Sequence, residues 1–441
     1  TAPLFRAEAV GTRDQTLHGI EVLARRSGRS EVAVAQTLLD LTHTATAPDS
    51  PAAVAGHWLF GPGRPTLVRA LGLPMRNAYP WRLVARRVAL PVYLGSLLLG
   101  TLGLVAWMLM RHRGGVPLDP LLHWLSLAGA LLMLFPASEA VVAVINRLIS
   151  ESARPLPLAR MALTLGIPPE HAVLVVIPAM LTSEAAVQSL VHRLQLHHLA
   201  NPERHAQFAL LSDWADADTE HLPDDAALLD SARLQIRALN ATYPQAEPGA
   251  PARFIVLHRG RHFSATERRW IGWERKRGKL ELLLAALAEG HSSAFLDLGE
   301  DSRLASHSRY VLTLDSDTQL PPGRLRDLVG VAAHPHNQPR LDPTGRRVLS
   351  GYAILQPNVA TPLPAPKDLT LYHWLFAGQC GIDPYSAASS EVYQDVFGEG
   401  TYTGKGLLDV RAMHAVLSQR LPEGQVLSHD LLEGSLARCA S

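Results

Sequence analysis

The residues from Val88 to Met110 form an apolar stretch of 23 residues that contains no charged side chain. At about 1.5 Å rise per residue, a helix of this length spans a hydrocarbon core of about 30 Å. A second apolar stretch runs from Leu121 to Ile145 and is interrupted by His123 and Glu139. We therefore predict two membrane-spanning helices at 88–110 and 121–145. For each, a buried helix of a large soluble domain is the alternative.

The link between the two stretches, Arg111–Pro120, is short and rich in glycine and proline, so 86–150 is predicted to be a transmembrane hairpin. Both flanks of a hairpin lie on one side of the membrane. Arginines are more numerous in the flanks than in the link, which places the flanks in the cytoplasm. These flanking arginines are Arg76, Arg82, Arg86, Arg87, Arg147, Arg154 and Arg160.

Composition narrows the class of protein further. Charged residues make up 18% of the 441 residues, whereas soluble domains average about 25%. The net charge of +1 argues against a protein that binds nucleic acid through its overall positive charge. Two cysteines exclude a disulfide scaffold. The chain starts at Thr1 and its last stretch carries no helix stop signal, so we expect a piece of a longer protein.

Residues 1–85 are predicted to be a helical cytoplasmic region. Gln15 to Thr42 carries apolar residues at helical spacing, broken at Ser27-Gly28. The region shows no catalytic constellation, which favours a packing role.

Residues 151–441 have the pattern of an α/β domain. Short apolar runs that end in polar residues alternate with helical segments, and this alternation predicts a mostly parallel sheet. The predicted strands are Ala172–Pro178, Gln207–Asp213, Phe254–Leu257, Tyr310–Leu314 and Gly351–Gln356. The predicted helices are Ser183–Leu196, Asp224–Asn240 and Lys279–Ala288. Ligands of such sheets bind beyond the carboxyl ends of the strands.

Acidic residues stand at those strand ends. Asp213 ends one predicted strand, Asp315 and Asp317 follow another, and Asp430 lies in Ser428-His-Asp430. Two carboxylates two residues apart can hold Mg²⁺ or Mn²⁺, which prefer hard oxygen ligands and neutralise a diphosphate. A solvated turn is the alternative for a bare D-x-D.

A phosphatase of the haloacid-dehalogenase type is a second alternative, because it also places D-x-D after a strand. That pattern requires Thr or Val two residues after the second acid, where this sequence has Gln319. Thr318 comes one position too early.

Seven stretches in order make the segment from Ile177 onward resemble the glycosyltransferase domain of the cyclic β-1,2-glucan synthases. These are bacterial inner-membrane enzymes related to cellulose-synthase-type transferases. The stretches are IPAMLTSE (177–184), FALLSDWADA (208–217), GWERKRGKL (272–280), LTLDSDTQLP (312–321), GYAILQP (351–357), FGEGTYTGKGLLDV (397–410) and LSHDLLEG (427–434). The resemblance implies a glycosyltransferase A-type, Rossmann-like nucleotide-sugar domain in 151–441, incomplete at its C-terminus, that faces the cytoplasm.

The resemblance also implies roles for individual residues in an inverting transfer from UDP-glucose to a growing β-1,2-glucan. Asp213, Gly278, Lys279 and Asp315 would contact the donor, Asp315 and Asp317 would bind Mg²⁺ or Mn²⁺, and Asp430 would be the general base. The acceptor region would contain Gly400, Thr403, Lys405 and His429.

Two departures from the family pattern stand out. The Arg-Trp motif of processive relatives is not in this sequence, and neither are the later transmembrane helices or the phosphorylase-like part of the family's polypeptide. A membrane-anchored sensor or scaffold without activity is therefore the rival function. The presence of all four acids favours the enzyme.

Overall fold

The computed structural model describes residues 3–45, 50–75, 81–112, 120–152, 157–245, 247, 249–290, 293–305, 307–359, 367, 369–371, 391–426 and 428–441. The chain divides into two compact units. The first comprises Thr1–Leu73, Leu158–Pro357 and Thr401–Ala440, and the second comprises Pro74–Pro157 and Asn358–Gly400 with Ser441. The predicted boundaries at 85 and 150 stay predictions. Most of the predicted link at 111–120, together with Arg76, Arg154 and Cys380, lies outside the described residues.

Five helices open the first unit, and the predicted break at Ser27-Gly28 is confirmed. They are α1 Pro3–Ala7, α2 Val10–Ser27, α3 Glu31–Thr42, α4 Ala55–Leu59 and α5 Arg64–Ala70. Gly28 ends α2 with a φ of +67°, a conformation that glycine adopts without strain. The Ser30 hydroxyl then accepts the Ala33 N–H and starts α3. Leu23, Leu59 and Leu67 are buried together and hold these helices against one another.

A seven-stranded sheet forms the centre of the same unit. Its strands are β1 Val173–Leu181, β2 Ala206–Trp214, β3 Phe254–Arg259, β6 Tyr310–Thr313, β9 Ile354–Leu355, β10 Gly406–Asp409 and β11 Cys439–Ala440. Two small antiparallel pairs stand apart from this sheet. They are β4 His262–Ser264 with β5 Arg269–Ile271, and β7 Arg340–Leu341 with β8 Val348–Ser350. The spatial order is β11-β9-β10-β6-β1-β2-β3. Strand β10 runs antiparallel to β6 and β9, and the remaining pairings are parallel. The predicted mostly parallel sheet is confirmed.

Helices cover both faces of this sheet. They are α8 Glu184–Ala200, α9 Asp225–Thr242, α10 Arg275–Glu289, α11 Arg324–Ala333, α13 Val410–Leu417 and α14 Asp430–Ala437. In β1, Val173 and Val175 pack into one apolar cluster, with α8, α9 and α11, while Leu174 and Val176 pack into the other, with α10 and α13. Burial on both faces explains why this strand reads as a continuous apolar run rather than an alternating one.

The second unit contains α6 Trp81–His112, α7 Pro120–Ser152 and the short helix α12 Val392–Phe397. Within the described residues, two segments are long and apolar enough to cross a membrane, Val88–Arg111 and Leu127–Ser152, each with a mean hydropathy of 2.0. Only 17% and 6% of these windows are buried, unlike the core helix of a soluble protein. The Tyr93 hydroxyl on α6 donates a 2.8 Å hydrogen bond to Asn146 on α7.

Candidate active site

Two of the predicted acids lie at the carboxyl ends of the strands that flank β1. Strand β1 pairs with β2 on one side and with β6 on the other. The strands that follow β1 are therefore added first on one side of it and then on the other, which makes β1 the point where the strand order reverses. Asp213 is the second-last residue of β2, and Asp315 follows β6 by two residues. Ligands of α/β sheets bind at such switch points.

Asp213 lies at the floor of the site in a buried ion-pair cluster. Its two oxygens accept hydrogen bonds of 2.7 and 2.8 Å from Arg259, and the ammonium of Lys279 lies 2.9 Å away. A side chain at Gly272 would come within 2.4 Å of Asp213, so the backbone there covers the carboxylate. Asp213 therefore organises the floor through protein partners, and its predicted contact with the donor stays a prediction.

Lys279 and Gly278 are the other two predicted donor contacts, at the start of α10. Lys279 is buried and also donates a 2.8 Å hydrogen bond to the carbonyl of Ala179. Burial lowers the pKa of Lys279, and the charge of Asp213 opposes this shift. Gly278 has no room for a side chain, because a Cβ would lie 2.1 Å from the carbonyl oxygen of Trp273. Close packing therefore accounts for this glycine.

A cleft of about 510 Å³ opens above this floor. Its charged lining includes Asp213, Asp216, Arg275, Lys276, Lys279 and Asp317. Arg275 bridges Asp216 at 2.9 Å and Glu267 at 2.7 Å. The volume lies in the range of small-molecule sites, about 300–1,000 Å³.

Asp315 is half-buried between two lysines. Its Oδ1 lies 2.5 Å from Nζ of Lys276, and its Oδ2 lies 3.1 Å from Nζ of Lys405. Lys276 also donates a 2.9 Å hydrogen bond to the carbonyl of Gly404. Asp317 is exposed and lines the cleft. The hard oxygens of the two acids fit Mg²⁺ or Mn²⁺ chemically. Both oxygens of Asp315 are paired with ammonium groups in this structure, so an ion that binds there competes with Lys276 and Lys405.

Asp430 is the first residue of α14 and lies beside the same loop. A side chain at Gly404 would meet both carboxylate oxygens of Asp430 at 3.0 Å, and its φ of +79° further favours glycine. The loop that carries Gly404 and Lys405 therefore lies beside both acids. Its Lys405 contacts Asp315, and its Gly404 faces Asp430.

His429 joins Asp430 to a second acid, Glu433. Nδ1 of His429 lies 3.4 Å from Asp430 and 3.0 Å from Glu433, one helical turn further on. Burial lowers the pKa of His429, but the hydrogen bond and charge of Glu433, with the charge of Asp430, outweigh it and raise the pKa above its usual value. Ligand atoms of the three residues lie within 4.8 Å of one another. His429 thus lies between two carboxylates, whose negative charges favour its protonated form.

The predicted acceptor residues separate into two groups. Thr403, Lys405 and His429 belong to the first unit, and Gly400 belongs to the second. Both donors of Thr403 are used by Gln356, whose Oε1 accepts the backbone N–H at 2.6 Å and the hydroxyl at 3.1 Å. Thr403 therefore fixes the loop, and Lys405 lies with Asp315. Their predicted role toward an acceptor stays a prediction.

Comparison with known proteins gives one extended match. No protein-family model matches the chain. The chain is 37% identical over 442 residues to the cyclic β-(1,2)-glucan synthase NdvB of Rhizobium meliloti (strain 1021), a match that covers 99% of the chain. The chain is similar to one segment of a cyclic glucan synthase. It spans 15% of that relative's length. The resemblance predicted from the seven motifs is confirmed, and it extends through the N-terminal and apolar helices.

Sequence analysis missed three residues of this synthase-like site. Arg259 and Glu433 contact predicted site residues, and Lys276 contacts Asp315. The basic run 275–277 fits a phosphate contact and a solvated helix start equally well in the sequence, so no role follows from it for Lys276. The rarity of lysine is a signal that identifies Lys276, because it is one of only four lysines in the sequence. His334, which has no partner at zinc-ligand spacing in the sequence, lies 3.3 Å from buried Glu8 and is structural.

Proposed function

We propose that the chain carries the donor-binding and base-bearing part of an inverting glucosyltransferase that uses UDP-glucose to extend a β-1,2-glucan. The observation that carries this proposal is the loop 403–405. Lys405 contacts Asp315, the proposed metal ligand, while Gly404 lies against Asp430, the proposed base. The similarity to a cyclic glucan synthase over 99% of the chain supports the glucan as product.

The chemistry is a single displacement. Asp430 accepts the proton of the acceptor hydroxyl while that oxygen forms a bond to the anomeric carbon. The bond from this carbon to the diphosphate oxygen breaks with inversion, so an α-linked donor gives a β linkage. A divalent cation, when bound by Asp315 and Asp317, supplies charge neutralisation of the departing diphosphate. Lys276 and Lys405 lie where they can add positive charge to the same group.

The apolar helices provide the membrane part of the proposal. We propose that α6 and α7 form a hairpin in a bacterial inner membrane, with the glycosyltransferase A-type domain in the cytoplasm. Two apolar windows that are only 17% and 6% buried support contact with lipid. The mostly parallel sheet with its cleft at the strand ends supports the proposed domain class.

Binding and transfer test the proposal separately. In detergent, calorimetry with Mn²⁺ should show UDP-glucose bound more tightly than GDP-glucose. Membranes that contain the protein should then transfer label from UDP-glucose to protein-bound or soluble glucan. Donor binding without any transfer would favour the sensor or scaffold instead. Release of phosphate from an aryl phosphate would favour the phosphatase.

Two substitutions test the assigned roles. Asp430→Asn should lower transfer by at least about 100-fold, the scale of general-base catalysis, while donor binding survives. Asp315→Asn should abolish transfer and also weaken donor binding. Full transfer by Asp430→Asn would show that the base is another residue.

A further inference from the structure

Lysine is rare in this chain and concentrated at one place. Only four of the 41 basic residues are lysines, namely Lys276, Lys279, Lys367 and Lys405. Three of the four lie within 3.1 Å of Asp213 or Asp315. A lysine ammonium is a compact charge on a flexible stem, whereas an arginine guanidinium is a rigid planar fork. A chain that otherwise uses arginine thus places three of its four lysines against acids of the candidate site.

Lys405 is the member of this group that is held by the fewest contacts. Its ammonium lies 3.1 Å from Oδ2 of Asp315, while Lys276 occupies Oδ1 and is also held by the carbonyl of Gly404. The side chain of Lys405 is 19% exposed, compared with 4% for Lys279 and 31% for Lys276. Lys276 is the more exposed of the three but is held by two partners, whereas in the described part of the chain Lys405 pairs with the carboxylate of Asp315 alone, so its release breaks the fewest contacts.

We propose that Lys405 exchanges partners during donor binding: it neutralises Asp315 in the empty site and moves to the diphosphate when nucleotide and divalent cation bind together. This inference rests on the proposed function and moves Lys405 from the acceptor region to the donor side of the site. It makes Lys405 a donor-binding residue that couples the nucleotide to the metal ion.

Electrostatics give the exchange its direction. The two ammonium groups cancel the charges of Asp315 and Asp317 together, so the empty site has no net negative charge to attract an arriving divalent cation. A nucleotide diphosphate carries negative charge that attracts both the ion and Lys405. Once Lys405 has turned to the diphosphate, one oxygen of Asp315 is free for the ion. Metal alone should therefore bind weakly, and metal and nucleotide should each strengthen the binding of the other by an equal factor.

The test compares Mn²⁺ alone with Mn²⁺ plus UDP, using the full chain in detergent. Free Mn²⁺ is measured by electron paramagnetic resonance, and UDP binding is measured by calorimetry. Lys405→Met keeps the length of the side chain and removes its charge. We expect this variant to bind Mn²⁺ alone about fivefold to tenfold more tightly and to bind UDP in the presence of Mn²⁺ about tenfold more weakly. The factor by which each ligand strengthens the other should shrink.

Tighter binding of Mn²⁺ together with weaker binding of UDP distinguishes the exchange from a merely structural role of Lys405. If Lys405→Met weakens both ligands or leaves Mn²⁺ binding unchanged, the proposal is overturned. Lys367→Met is the matched control and should leave both affinities unchanged. If Lys405→Met does not fold, Lys405→Arg tests the same point, and weak binding of Mn²⁺ alone should persist because the charge remains. Wild-type protein that binds no UDP would refute both the proposed function and the exchange, whereas UDP binding whose coupling to Mn²⁺ is unaffected by Lys405→Met would refute the exchange alone.

Discussion

The backbone around Gly278 leaves no room for the Cβ atom of any other residue. A Cβ at this position would overlap the carbonyl oxygen of Trp273 at 2.1 Å, and backbone cannot move aside as a flexible side chain can. We expect Gly278→Ala to lower the free energy of unfolding by about 1–3 kcal/mol, as overpacking does. Thermal unfolding in detergent measures the change.

Gly11→Ala is the matched control for this prediction. Gly11 also lies in a helix of the first unit, and a Cβ there would meet nothing within 4 Å. The variant should be stabilised by about 0.5–1 kcal/mol, because alanine favours helix more than glycine does. Equal effects of the two substitutions would show that crowding at Gly278 is not the cause.

Glu433 gives a prediction that depends on pH. The raised pKa of His429 means that the Glu433–His429 pair adds stability below the usual histidine pKa of about 6.5. This contribution is lost as the pH rises through the raised pKa of the folded state. Glu433→Gln should therefore lower the melting temperature more at pH 6 than at pH 9.

Glu300→Gln is the control for Glu433. Glu300 pairs with Arg303 at 3.3 Å on the surface, where its side chain is 77% exposed. Exposed pairs contribute about 0–1 kcal/mol and do not involve a titrating histidine here. A pH-independent effect of Glu433→Gln, like that expected for Glu300→Gln, would contradict the imidazolium between two carboxylates.

At the scale of elements, α8 offers a direct test of its predicted start. The predicted helix begins at Ser183, and the hydroxyl of this residue accepts the N–H of Ala186 at 3.2 Å. We expect Ser183→Ala to cost about 1 kcal/mol of stability, the usual value for a lost cap. Ser183→Asp should retain stability, because aspartate caps helices equally well. A loss of stability in both variants would point to packing instead of capping.

The sequence predicted those elements that carry their own local signal. The predictions of β1, β2, β3 and β6 are confirmed. Each of these strands is a run of apolar residues, and such a run by itself indicates a buried strand. The strand β10, Gly406–Asp409, was not predicted, since four residues beside a glycine-rich loop become a strand only by pairing with β6 and β9. The helix α10 starts at Arg275, four residues earlier than predicted, because a basic first turn resembles a loop in sequence.

The candidate site was predictable only in part for the same reason. Acids at the ends of parallel strands had to lie at one edge of the sheet, which identified Asp213 and Asp315. The contacts of Asp315 with Lys276 and Lys405 join residues far apart in sequence, and no local pattern specifies such pairs. The burial of Asp213 under Gly272 likewise follows from tertiary packing alone.

At the scale of the molecule, buried histidines predict sensitivity of the first unit to acid. Burial lowers the pKa of His197 and His258 to about 4 and that of His336 to about 3. The unfolded chain binds protons from about pH 6.5 downward, so stability should fall between pH 6.5 and pH 4. Each such histidine contributes about 1.4 kcal/mol per pH unit in that window.

Melting temperatures between pH 7 and pH 4.5 measure this loss. His197→Gln should make the pH dependence less steep. His192→Gln, on the exposed side of the same helix, should leave the slope of the wild type unchanged. If His197→Gln leaves that slope unchanged as well, the acid response comes from other groups.

Gly404 fixes a distance through the main chain. Its carbonyl is held by Lys276, and its α-carbon faces Asp430. The spacing between Asp315, the proposed donor and metal ligand, and Asp430, the proposed base, is therefore set by the number of residues in the loop. Exchanging side chains at 403 or 405 leaves this spacing unchanged, whereas inserting one residue between Tyr402 and Gly406 would change it and should abolish the proposed transfer.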